Sequence, residues 1–341
     1  MKKEFTAAIL EKKRKIVIKK IKAPKLGKNQ VLVKIIYSGI CGSQYFEYFG
    51  YRGKDIYLPH GLGHEASGII VEKHRSLKKF KKGDRVILSW LKNKDQGSKK
   101  IILNDSDKRR INFGPITTFS NYSLVSSNRV FLKPRTMSMI EAVFYGCAIP
   151  TGAGMVLNQS KVKVNDNILL IGIGGIGYVV LRTLLKLKVK KITIVENDKT
   201  KINYIKKILF NKNYNLIYLN NISKVKKNEF DICFETSGNI KILEKSLSFI
   251  NDKGKVLFAS HPKFGEKISL NPHELIKGKQ IFGSWGGNSK LNKDITKIFK
   301  FFDNKSIFNK NLLNIVKLKD LKFIFEKNNS KIRSVISFGK K

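Results

Sequence analysis

The sequence predicts an α/β chain: a β-rich first part, then a parallel sheet with helices on both faces. Residues 1–150 hold many short runs rich in β-branched and aromatic residues, broken by turn signals. From about Lys161 the rhythm changes, and compact apolar strands alternate with helical stretches. A glycine-rich turn sits between the first of those strands and the helix that follows it.

The first strands are expected at Lys15 to Lys19, Gln30 to Tyr37, Ala66 to Val71, Asp84 to Ser89 and Asn121 to Val125. Gly27-Lys28-Asn29 and Lys82-Gly83-Asp84 are turn signals between them. Short strands at this spacing suggest a barrel or sandwich. Lys92 to Arg110 is polar and charged, with Gly97, Asn104 and Asp105, and reads as an exposed loop.

In the second part, Asn167 to Ile171 reads as a strand and Gly177 to Lys188 as a helix, with Val179, Val180, Leu184 and Leu187 at helical spacing. Ile192 to Val195 is a strand and Thr200 to Phe210 a helix. Leu216 to Leu219, Asp231 to Glu235, Lys255 to Ser260 and Gln280 to Ser284 continue the strand series. The last residues return to short mixed elements and end in an apolar strand, Ser334 to Phe338. Three segments follow: 1–150, 151–288 and 289–341.

Gly172-Ile173-Gly174-Gly175-Ile176-Gly177 fits G-x-G-x-x-G in its expected setting. Gly172 permits the tight turn, Gly174 lets backbone approach a pyrophosphate, and Gly177 lets helix pack on strand. The amides of Gly175 and Ile176 open the helix, whose N-terminus favours phosphate. Glu196 ends the next strand, where a carboxylate accepts from a ribose 2′-hydroxyl and repels a 2′-phosphate. That favours NAD over NADP, although Lys199 and Lys201 lie close by.

The formal net charge is +43. Lysines are spread along the whole chain, and Lys, Asn, Ile and Phe, which share A/T-rich codons, are abundant together. Codon drift therefore explains the charge better than specific nucleic-acid binding, though an anionic substrate is compatible with it. At 42% hydrophobic residues the chain is globular. No apolar run nears the ~20 residues of a membrane helix, and Phe5 to Leu10 is too short for a secretory segment. A cytoplasmic protein without a membrane partner is expected.

There are three cysteines, too few for an even disulfide framework. Cys41 and Cys147 sit in short glycine-bearing motifs, with Gly63-His64-Glu65 between them. Two thiols and one imidazole can hold a zinc while leaving a fourth position open. Spacing alone leaves open whether they are ligands or ordinary core residues. Cys233 reads as a buried strand residue, and His60 as a bystander.

In order, Gly39-Ile40-Cys41-Gly42-Ser43, Gly63-His64-Glu65-Ala66-Ser67-Gly68, Lys82-Gly83-Asp84-Arg85-Val86, Gly146-Cys147-Ala148-Ile149-Pro150-Thr151-Gly152, the glycine turn and Ile332-Arg333-Ser334-Val335 resemble the motifs of the zinc-dependent medium-chain alcohol dehydrogenases, over essentially the full length. The resemblance implies a GroES-like β-barrel domain, an inserted Rossmann domain, and a C-terminal segment returning to the barrel, with the active site between the domains. It implies one catalytic Zn2+ on Cys41, His64 and Cys147. The structural zinc of some members is expected to be absent, because Lys92 to Arg110 has no cysteine. Thr151, Lys201 and Arg333 join the cofactor-binding set, with Arg333 reaching the pyrophosphate.

On the same resemblance, Ser43 relays the proton of an alcohol substrate while hydride passes to NAD. Glu65 is a transient zinc ligand, a charge behind His64, or a structural ion pair. Trp90 and Phe46, with Tyr45 beside them, line the substrate pocket. Trp285 approaches the nicotinamide or fills a subunit interface. The family favours dimers and tetramers, so a homo-oligomer is expected.

The chain departs from the family pattern in places. Gln44 stands where Asp is common; its amide oxygen is expected to accept from the imidazole and leave the site more positive. Phe46 stands where some members have a relay histidine, and His74 where a small residue is usual. Two other readings are a zinc-free, NADP-linked quinone or enone reductase and a basic non-enzymatic binding protein on this scaffold. The intact Cys41, His64 and Cys147 argue against the first.

Overall fold

The computed structural model describes residues 4–23, 25–97, 100–209, 216–327 and 331–339. Phe210, expected to end a helix, lies outside them. Two compact units emerge: one from the described residues within 1–147, 290–329 and 333–341, the other from those within 148–289 and 330–332.

The first unit contains two sheets. One runs in the order Lys15–Lys22, Glu4–Lys12, His60–Gly61, Arg110–Gly114, Ile101–Asn104. The other runs Val130–Leu132, Arg85–Leu88, Ala66–Lys73, Gln30–Ile40, Arg333–Ser337, Leu313–Val316, with Tyr122–Ser126 also paired to Gln30–Ile40. Phe5, Ala7, Ile9, Ile101, Leu103 and Phe113 form one core cluster, and Val31, Val33, Ile35, Ile70, Val86 and Leu88 another. Each expected strand of this part is present.

The expected exposed loop at Lys92 to Arg110 is not uniform. Ile101–Asn104 is a strand antiparallel to Arg110–Gly114. Its alternation is short but complete: Ile101 and Leu103 are buried while Ile102 faces out. Surrounding charge hides that period in the sequence. The segment is also pinned by Asp105, which is buried and accepts from Lys19 Nζ at 2.7 Å and from the Arg109 and Asp107 amides at 2.8 and 3.0 Å.

The C-terminal part holds more regular structure than short mixed elements. Leu291–Phe301 is a helix whose Leu291, Ile295, Ile298 and Phe299 are buried at one-face spacing. Arg333–Ser337 pairs antiparallel with the end of Gln30–Ile40, Ser334 opposite Ile40.

The second unit is a six-stranded, all-parallel sheet. Its order is Leu216–Leu219, Lys191–Val195, Asn167–Ile171, Phe230–Glu235, Ile250–Phe258, Gln280–Gly283. In chain order this is 3-2-1-4-5-6, the doubly wound dinucleotide-binding arrangement with its switch point after the first strand. Cys233 is fully buried in Phe230–Glu235, as expected, and burial pushes its thiol up. No helix among the described residues is long and apolar enough to cross a membrane.

Asp105→Ala would strip the acceptor from Lys19 and two backbone amides at once. Loss of about 2 kcal/mol of stability is expected in urea unfolding; an unchanged midpoint would mean that Asp105 does not pin this segment.

Candidate functional site: a Cys2His cluster and a glycine turn

Three separate segments converge in the first unit. Cys41 follows the strand Gln30–Ile40 and is the N-cap of the short helix Gly42–Tyr48. His64 follows Gly63, whose φ of +90° is a left-handed conformation that glycine adopts at little cost. Cys147 ends the turn after the helix Met139–Phe144, its amide donating to Phe144 O. That turn lies tight against the sheet, since a Cβ on Gly146 would stand 2.4 Å from Leu88 O.

The ligand atoms of Cys41, His64 and Cys147 all lie within 4.8 Å of one another. The two sulfurs are 3.9 Å apart. A tetrahedral zinc with Zn–S near 2.3 Å sets its sulfurs about 3.8 Å apart, so the spacing suits that ion. His64 Nδ1 faces Gln44, and its Nε2 is buried with no hydrogen-bond partner. A buried ring nitrogen without a partner is costly unless something else engages it, and a metal does. The residues present therefore fit zinc.

The electrostatics point the same way. The hydrogen bond from Cys147, with help from Arg333 and His64, outweighs burial and holds Cys41 well below the ordinary thiol range. The same shared bond and burial push Cys147 up, so its thiol holds its proton more tightly. Burial works against the charge of His64, but the Cys41 sulfur and the carboxylates of Glu65 and Glu47 raise its proton affinity overall. A zinc ion would displace the remaining thiol proton outright.

Glu65 is fully buried outside the three-ligand cluster and ion-pairs with Arg333 Nη2. Burial works against the guanidinium charge, but Glu65 and the two cysteine sulfurs more than offset it. Of the three roles expected for Glu65, the structure displays the ion pair. Arg333, expected at a pyrophosphate, has a buried carboxylate partner in Glu65, because its strand pairs with the one that ends at Cys41. Sequence inspection missed this pairing, since the two residues are 268 positions apart.

Gln44 differs from expectation. Its Oε1 accepts from the Cys41 amide at 2.9 Å, and its Nε2 faces His64 Nδ1 at 2.6 Å. A backbone N–H can only donate, so the oxygen must face Cys41 and the amide nitrogen the imidazole. The signal was present: a Gln three residues after an N-cap completes a capping box. Ser43 lies beside it in the first helical turn, with its buried Oγ lacking a hydrogen-bond partner.

The pocket candidates divide. Tyr45 packs edge-on against Phe325 at 4.8 Å and belongs to that core. Phe46 is half-buried against Tyr51, and Trp90 is half-buried after Ser89. His60 pairs with Asp55 at 2.9 Å, away from the ligand set. His74 contacts Ser76, and Trp285 is 70% exposed with His261 at its edge.

In the second unit the helix starts at Gly175, with Gly174 as an extended N-cap. Gly172 has φ +85°, and a Cβ there would meet Ser237 N at 2.9 Å. A Cβ on Gly177 would stand 2.0 Å from Gly172 O, so only glycine fits. Around Gly174 a Cβ would meet nothing within 4 Å, which leaves the space a phosphate needs. Ile176 lies in the first turn of that helix, and its carbonyl would stand 2.8 Å from a Cβ on Gly152, the neighbour of the buried Thr151. Glu196 is buried and accepts from the Ile173 amide at 2.7 Å and the Asp198 amide at 3.0 Å. Lys201 is within 3.9 Å of Asp198.

Fold and site together define a class: a two-sheet unit bearing a Cys2His cluster, joined to a doubly wound unit with a glycine-rich turn. Residues 27–135 match the family model described as "Alcohol dehydrogenase GroES-like domain". The S-(hydroxymethyl)glutathione dehydrogenase of Photobacterium damsela subsp. piscicida is 24% identical over 298 residues, covering 77% of this chain and 80% of that protein. Among solved structures, an alcohol dehydrogenase zinc-binding domain protein from Burkholderia ambifaria superposes with TM-score 0.86 at 18% identity, covering 99% of both chains. The benzyl alcohol dehydrogenase of Acinetobacter calcoaceticus gives TM-score 0.82 at 19% identity, over 99% of this chain and 100% of that one. The chain is thus similar to the alcohol dehydrogenases with a GroES-like domain, in sequence over residues 27–135 and in fold over its whole length.

Glu65→Ala would leave the Arg333 charge buried without its carboxylate. A loss of about 3–5 kcal/mol is expected in urea unfolding, with a double Glu65→Ala, Arg333→Met variant recovering part of it. A single variant as stable as the parent would show that the pair carries no net constraint.

Proposed function

We propose that this protein is a zinc-dependent, NAD-linked oxidoreductase that interconverts an alcohol, polyol or sugar derivative and its carbonyl counterpart. The observation that carries this reading is the Cys2His cluster, with its sulfurs 3.9 Å apart and a buried His64 Nε2 lacking a hydrogen-bond partner. Three protein ligands leave an open fourth position, which is the mark of a catalytic rather than a structural zinc.

Cys41, His64 and Cys147 would hold the ion. When bound, zinc supplies Lewis acidity to the substrate oxygen, and NAD supplies the hydride acceptor. The remaining work falls to the chain. An alcohol loses one hydride and one proton, and Ser43 Oγ is the buried, unpartnered hydroxyl in the first turn after Cys41 that would hold that proton. Arg333 and His64 keep negative charge on Cys41 and so favour metal retention.

On the cofactor side, Gly172, Gly174 and Gly177 would shape the pyrophosphate turn, and Gly175 and Ile176 would present amides. Glu196 supports NAD: two backbone amides hold its carboxylate beside the turn, and each oxygen keeps a lone pair for a ribose hydroxyl. Thr151 and Lys201 are proposed neighbours of the cofactor, and Arg333 a phosphate contact if Glu65 yields it. Trp90 and Phe46 would set substrate shape. The related S-(hydroxymethyl)glutathione dehydrogenase and benzyl alcohol dehydrogenase point to an alcohol or carbonyl group but differ widely in the rest of the molecule, so the substrate stays at that class.

Metal analysis of the purified protein is expected to give one zinc per chain, with Cys41→Ser losing it while NAD binding persists. Turnover that survives Cys41→Ser would reject the zinc mechanism. Glu196→Ala is expected to shrink an NAD-over-NADP preference in kcat/KM by roughly ten-fold or more, on the scale of one lost charged hydrogen bond. A parent enzyme that already prefers NADP would overturn that assignment.

A further inference from the structure

Gln44 touches both Cys41 and His64 but has one acceptor and one donor to offer them. Its oxygen is taken by the Cys41 amide at 2.9 Å, which turns its NH2 toward His64 Nδ1 at 2.6 Å. The imidazole must then accept at Nδ1 and carry its proton on Nε2. Nε2 is the buried, unpartnered nitrogen of the three-ligand cluster, the atom that needs a bare lone pair to hold a metal.

We propose that Gln44 is a positioning residue that weakens zinc loading by fixing His64 in the tautomer that opposes it. The inference rests on the zinc reading above. When the ion binds Nε2, the imidazole proton moves to Nδ1, where it confronts the Gln44 NH2. Turning the amide over places its oxygen on Nδ1–H but sets its NH2 against the Cys41 N–H. In either orientation one buried N–H of the loaded site faces a donor. A carboxylate of the same length would accept from both, because it has an acceptor at each oxygen. Hydrogen-bonded partners of a ligating histidine typically change metal affinity about 10- to 100-fold.

The test is zinc affinity by competition with a chromophoric chelator, for the full-length parent and Gln44→Glu. The variant is expected to bind zinc about 10- to 100-fold more tightly. A second measurement reads the tautomer directly. In zinc-free protein labelled with 15N-histidine, at a pH where His64 is neutral, its proton should sit on Nε2 in the parent and shift to Nδ1 in Gln44→Glu, where a carboxylate oxygen accepts it. The Cys41 sulfur also draws a proton toward His64, so the difference between parent and variant is the share set by Gln44. Equal affinities of parent and variant, or a proton on Nδ1 in the parent, overturn the proposal and leave the zinc site standing. Failure of both proteins to bind zinc overturns the zinc reading as well.

Discussion

Two sulfurs 3.9 Å apart, with a buried imidazole nitrogen beside them, form a half-buried cluster that hydrogen bonds within the protein do not fully satisfy. The hydrogen bond between the two sulfurs and the charges of Arg333 and His64 favour a thiolate at Cys41. Much of the first unit serves that constraint. The strand that delivers Cys41 is paired along its end with the strand that delivers Arg333. Arg333 is held by Glu65, the residue next to His64, so the two strands and the imidazole segment are fixed against one another. Glycine at 39 and 146 is required for the same reason, since a Cβ at either would run into Glu65.

The second unit obeys a different constraint, that of backbone approach. The first strand, the turn and the following helix leave no room for side chains at Gly172 and Gly177, yet keep Gly174 open. Glu196 ties the end of the neighbouring strand to this turn through the Ile173 amide. The carboxylate that would select the cofactor thus also braces the turn that would hold its phosphates. Substitution there would disturb both, and affinity and selectivity should change together.

Periodic features were legible in the sequence. The strands Asn167–Ile171 and Leu216–Leu219 fall where apolar runs placed them, and the parallel sheet was expected from strand–helix alternation, while its strand order was not. Cys41, His64 and Cys147 were legible as separate motifs, because each sits in a glycine-marked turn. Ile101–Asn104 was not, since two inward residues inside a charged stretch give too short a period to see. Nor was the Arg333–Glu65 pair, which depends on a strand returning from the far end of the chain. Gln44 was noticed as a departure, but its orientation was not deducible. It is set by a backbone amide that competes with the imidazole for the one oxygen available.

The most direct measurement is zinc K-edge X-ray absorption of the metal-loaded protein. Two sulfur scatterers near 2.3 Å, one imidazole nitrogen and one further light atom are predicted, matching Cys41, Cys147, His64 and an open position. A first shell of nitrogen and oxygen alone, or of four sulfurs, would contradict the catalytic Cys2His centre.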